Sequence, residues 1–139
     1  MWLSSLSNDQ RHALLRLAHN VIVSDGLLDP NEEDMLFELK REMALSDVGE
    51  VEYLELDGIQ NVFQDRRSRI IVVINLLKLS YVDGAFEIEE ECLLKEIART
   101  FDITDQDFLL LDNWVRRLTA LEDEVTALFE QSRHNTAPH

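Results

Sequence analysis

The side chains best suited to chemistry in this chain are carboxylates, and they recur in a fixed order. Asp25-Gly26 is followed by Asp29, Glu32 and Glu33, and Asp83-Gly84 by Glu87, Glu90 and Glu91. The pattern Asp-Gly-x-x-(Asp/Glu)-x-x-Glu-Glu thus stands twice, 58 residues apart. Hard divalent cations take such oxygens, calcium with about six to eight ligands and magnesium with about six, water included. Each position also has a local structural use. Asp-Gly ends a helix, the fifth position caps the next one, and glutamates in a first turn favour the positive end of the helix dipole. Cation ligation and helix capping therefore both account for the pattern.

A true EF-hand is excluded. With Gly26 or Gly84 at the sixth loop position, Glu32 and Glu90 fall at the twelfth as that loop requires. Its first and third ligands, however, would be Val21 and Val23, or Leu79 and Tyr81, none of which can coordinate calcium. Any ion held here would have fewer protein ligands. The other candidate ligands are weaker. His12 and His19 share a helical face but lie about 10 Å apart, too far for one metal. His134 and His139 lie near the C-terminus with no Cys or Asp at zinc spacing. Cys92 stands among Glu89, Glu90, Glu91 and Glu96, which disfavour its thiolate, so it reads as an inert thiol.

The elements that must position the acidic turns are helices. Only 4 Gly and 2 Pro occur in 139 residues, and 45% of the chain is hydrophobic. Ser7 and Gln10 have capping-box spacing, and Ala13, Leu14, Leu17, Ala18, Val21 and Ile22 follow at helical period, predicting a helix from Asn8 to about Ser24. Pro30 opens a second helix, to about Ala44, with Met35, Leu36, Leu39 and Met43 facing inward. Residues 45–65 read as loop with one short helix. After Asp65 as cap, the span from Arg66 to Val82 contains a β-branched run that would suggest a strand on propensity. Its length without a turn signal makes it instead a central helix, apolar nearly all round. A final amphipathic helix over about 105–131 carries Leu111, Trp114, Leu118, Leu121, Val125 and Leu128 at spacings of three and four. Packing of that seam on the body is the main expectation. Contact with a second copy of the chain, or with a partner helix, is the alternative.

The segment from Ser24 returns at Val82 without a gap, Leu36 falling on Leu94, Leu39 on Ile97 and Met43 on Phe101. The fold class expected is therefore all-α, an internally duplicated bundle of about six or seven helices. It forms one domain over 1–131, with repeat units at about 8–45 and 66–103 and a flexible tail at 132–139. This duplicated helix, Asp-Gly turn and acidic helix start, covering about Leu14 to Ile103, resembles the TerB or tellurite-resistance family. The resemblance implies an internally duplicated helical domain of the bacterial cytoplasm, associated with stress-response protein complexes, whose acidic residues are suspected metal ligands. Matched to that motif, the metal-site residues are Asp25, Asp29, Glu32, Asp83, Glu87 and Glu90. The copies differ, with Glu87 in place of Asp29 and Cys92 in place of Asp34.

Composition narrows the partners. The 28 acidic against 13 basic residues give a formal charge of -15, which repels nucleic acid and anionic membrane surfaces. Cations and basic protein surfaces are attracted instead. Arg66, Arg67 and Arg69 form the one basic cluster and are expected to pair with acidic neighbours. The longest mostly apolar stretch, Ile70 to Val82, falls short of the ~18 residues a membrane span needs. The first residues lack the features of a secretory signal, so a cytoplasmic protein is expected. No phosphate loop, nucleophile elbow or kinase motif occurs. The function expected is a non-enzymatic acidic binding module, with protein partners and calcium or magnesium as the cofactor to test. A structural interaction domain, whose turns only cap helices, is the rival.

Overall fold

The structure is a computed structural model that describes residues 1–24, 30–49, 51–81 and 88–135, with the side chains of 30–32 and 132–135 left out of the description. Among these residues the chain is all-helical. A 3-10 turn at Leu3–Ser5 precedes α1 (Asn8–Ile22), α2 (Pro30–Glu42), α3 (Ile59–Val62), α4 (Arg66–Ser80), α5 (Ile88–Thr100) and α6 (Asp105–Asn135).

Side-chain caps set where the long helices begin. Ser7 Oγ accepts from the Gln10 amide at 3.2 Å while Gln10 Oε1 accepts from the Ser7 amide at 3.0 Å, a reciprocal box that satisfies two otherwise orphaned donors. Asp65 does the same work for α4, accepting from the Ser68 amide at 3.0 Å. The Ser68 side chain, and then that amide, hold the Asp65 carboxyl below its ordinary range. Thr104 Oγ1 accepts from the Asp107 amide at 3.1 Å and starts α6.

The two helix pairs match in length and spacing. Cap Ser7 and cap Asp65, α1 and α4, and α2 and α5 are each separated by 58 residues, and the paired helices have 15 and 13 residues respectively. Their ends match as well. Ala44 and Asp102 both take the left-handed conformation, each with φ 59°. In both cases the following amide reaches back five residues, Leu45 to the Lys40 carbonyl at 2.8 Å and Ile103 to the Ala98 carbonyl at 2.9 Å. This is the Schellman arrangement, and the residue after each bend, Leu45 or Ile103, is buried as that motif favours.

The core forms around α4, where Ile71, Val72, Val73, Ile74, Leu76, Leu77 and Leu79 are all buried. Burial on every side overrides the strand propensity of the β-branched run, since each such side chain gains roughly 1.5–3 kcal/mol from leaving water. Helix α2 packs on α1 and α4, α5 packs on α4 and α1, and α6 covers α4 and α5. The segment between α2 and α3 is strapped across α1. Arg16 donates to the carbonyls of Glu52 and Tyr53 at 3.2 and 2.7 Å, and buried Asn20 exchanges two hydrogen bonds with the Leu54 backbone.

Four helix ends differ from the sequence reading. Helices α1, α2 and α4 end at Ile22, Glu42 and Ser80, each two residues before the expected Ser24, Ala44 and Val82, and α6 continues to Asn135, beyond position 131. The outer half of the α6 seam also faces solvent, whereas packing on the body is expected from sequence.

Candidate functional site

Most of the sequence-identified site falls outside the described structure. Asp25, Asp29, Asp83 and Glu87 lie outside the described residues, and so does the Glu32 side chain. What is described is the framework on either side of each turn. The first turn leaves α1 through Val23, whose amide bonds the His19 carbonyl, and Ser24, whose hydroxyl donates to the Val21 carbonyl at 2.7 Å. The second leaves α4 through Tyr81 and rejoins helix at Ile88.

Of the six motif-matched metal-site residues, Glu90 alone has a described side chain. It is the third residue of α5 and only 3% exposed, although Glu89 beside it faces solvent. By the 58-residue spacing it corresponds to Glu32, the third residue of α2. A third-position glutamate can reach back to the capping residue's amide, and a buried carboxylate needs donors or a cation to offset lost hydration.

The exit from α4 is braced by a polar triad that sequence reasoning missed. The Tyr81 hydroxyl donates to Asp112 Oδ1, Arg116 Nε donates to the Tyr81 oxygen at 2.9 Å, and Arg116 Nη2 lies 3.2 Å from Asp112 Oδ2. The Arg116 guanidinium also sits 5.7 Å from the Tyr81 ring centroid. Burial, and then the bond to Asp112, push the Tyr81 hydroxyl up to about 12. The i,i+4 spacing of Asp112 and Arg116 is visible in the sequence, but their partner lies 31 residues upstream of Asp112, so only tertiary structure joins them. The triad fixes one end of the second acidic turn against α6.

The basic cluster follows its reading at Arg66 and departs from it at Arg69. Arg66 pairs with Asp107 at 2.8 Å, as a basic group near acidic neighbours does. Arg69 instead donates to three backbone carbonyls, those of Phe63, Gln60 and Phe101, the last two at 3.1 Å. Its guanidinium lies 5.8 Å from the Phe101 ring centroid. A planar fork with five donors suits that task.

Other surface features offer little chemistry. A groove of about 350 Å³ runs between α1 and the 54–62 segment, lined by Asp9, His12, Arg16 and Asp57 among others. The Arg16 guanidinium there is already engaged by backbone carbonyls, so it holds the strap and not a ligand. Cys92 is exposed on α5. Among the described residues no group of three or more His, Cys, Asp or Glu side chains is arranged to hold a metal ion, and no helix is long and apolar enough to cross a membrane. Comparison of the chain with protein-family models, with curated proteins and with solved structures finds no match.

Proposed function

We propose that this chain is a non-enzymatic binding module of the TerB-like kind, acting in the bacterial cytoplasm within a stress-response assembly. Its two acidic turns would take a divalent cation, calcium or magnesium, or the basic surface of a protein partner. The observation that carries this reading is Glu90, a carboxylate held almost out of water at the start of α5 and in register with Glu32 of the first copy. The matched helix pairs support it further, because helices of equal length lead into and out of the two turns. At a net charge of -15, a bound cation relieves repulsion among carboxylates that otherwise oppose one another.

The rival reading, a purely structural interaction domain, draws on the same residue. The third helical position is where a glutamate caps, and the lone pairs that would ligate an ion could serve backbone amides instead. Thermal unfolding with added calcium or magnesium separates the two. An ion bound only by the native state stabilises it by about 2.7 kcal/mol at a hundredfold excess over Kd, and Asp25→Asn with Asp83→Asn removes that gain. A midpoint that stays flat to millimolar ion leaves the capping reading in place.

A further inference from the structure

The outer part of α6 leaves the body of the protein. Every residue from Leu121 to Gln131 is exposed, and among them Leu121, Val125, Leu128 and Phe129 are 57%, 48%, 61% and 67% exposed. At about 100° per residue, these four fall within an arc of roughly 100°, so they form one stripe. The stripe continues inward through half-buried Leu118 to Trp114, whose ring lies 6.1 Å from that of Trp2. Contiguous apolar surface of this kind marks a contact site more often than isolated exposed residues do.

Charge identifies what fits it. Residues 119–131 contain Glu122, Asp123, Glu124 and Glu130 and no lysine or arginine. On the helical wheel Glu122 and Glu124 border the stripe on opposite sides. A second copy would set two such acidic rows side by side in chains that each carry -15. The stripe is also short, a few hundred Å² against the ~800 Å² per partner of a stable interface. Lys78 already shows the favourable pairing, its ammonium lying 3.5 Å from Glu122 where α6 leaves α4.

We propose that the free end of α6 is a docking stripe for a basic amphipathic helix of another protein. Apolar residues of that helix cover Leu121, Val125, Leu128 and Phe129 at coiled-coil spacing, and its flanking lysines or arginines meet Glu122 and Glu124. This surface is separate from the acidic turns, and its test stands or falls independently of cation binding.

The probe is a labelled synthetic leucine–lysine peptide with leucines at i, i+3, i+4 and i+7, compared with a shuffled peptide of the same composition that lacks an apolar face. The full chain is expected to bind the amphipathic peptide at least about tenfold tighter than the shuffled one. Leu121→Gln, Val125→Gln, Leu128→Gln and Phe129→Gln together are expected to erase that preference, glutamine being a good helix former. Glu122→Gln with Glu124→Gln should weaken binding several-fold and flatten its salt dependence. Circular dichroism checks that each variant stays helical, and Leu128→Gln with Phe129→Gln serves as the milder variant if the fourfold one does not. Equal binding of the two peptides overturns the proposal by tracing the attraction to overall charge, and an undiminished preference in the glutamine variants overturns it by placing the contact elsewhere on the chain. A parent chain that sediments as a dimer, and is made monomeric by the same glutamines, overturns it in favour of a second copy.

Discussion

Replacing Arg69 by lysine keeps the positive charge but removes the fork that ties three segments together. In the structure the guanidinium bonds the carbonyls of Phe63 and Gln60, at the end of α3, and of Phe101, just past α5, while lying against the Phe101 ring. Phe101 in turn meets Phe63 edge-on at 5.5 Å between centroids, so the same side chain holds both rings in place. Hydrogen bonds to charged groups contribute about 1.5–3 kcal/mol each, and the low end is taken here because the Arg69 side chain is itself half-exposed. A lysine ammonium can reach one carbonyl well, so losing two bonds should cost about 3 kcal/mol, and Arg69→Ala about 5 kcal/mol with the ring contact included. At about 4 °C per kcal/mol for a domain of this size, the lysine variant should melt roughly 12 °C lower. Urea unfolding followed by far-ultraviolet circular dichroism reads the free energy, and an unchanged slope confirms that only the native contacts have changed. Arg67→Lys, at an exposed neighbouring position, is the control and should shift stability by less than about 0.5 kcal/mol. An Arg69→Lys protein as stable as that control would refute the account of Arg69 as a tie between backbone segments.

Two further outcomes follow from the bend at Ala44 and from the Tyr81 triad. Ala44 holds a left-handed conformation at φ 59°, which costs a residue with a Cβ about 1 kcal/mol and glycine almost nothing, so Ala44→Gly should raise the midpoint of urea unfolding. Tyr81 binds its proton more tightly folded than unfolded, with a folded value of about 12 against an ordinary value of 10.0, so its contribution to stability is complete below pH 10.0 and is lost as pH rises through about 12. Ultraviolet titration should show a tyrosinate step near 12 that Tyr81→Phe removes, and a step near 10.0 in its place would contradict the bond to Asp112.

Starts of helices were the most legible feature, because a cap is local. Ser7 with Gln10, Asp65 and Thr104 each accept within three residues, and the sequence shows donor and acceptor together. Ends were less so. Ala44 and Asp102 bend leftward where no glycine announces it, the turn being held by the buried Leu45 and Ile103 that follow. Burial of α4 could be read from its unbroken apolar run, but the strap formed by Arg16 and Asn20 could not, since carbonyl acceptors leave no mark on residue type. The α6 seam was found at its correct spacing, but packing on the body, the first of the two readings it allowed, does not hold over its outer half. A stripe at positions three and four apart looks the same whether it faces the body or solvent. Of the candidate ligands, Glu90 was legible as to position but not as to depth, because burial of a first-turn glutamate depends on neighbours from other helices.

The projecting stretch of α6 owes its shape to the residues before it. A helix this short would scarcely form alone, since starting a turn is the unfavourable step and adding to one is not. Here Phe108, Asp112 and Val115, anchored in the body, have already started it. Its outermost turns can therefore unwind and rewind without disturbing the core, and their amides should exchange with solvent far sooner than those of α4. A protein that grasped this arm would meet a surface already in helical form but still able to yield by a turn.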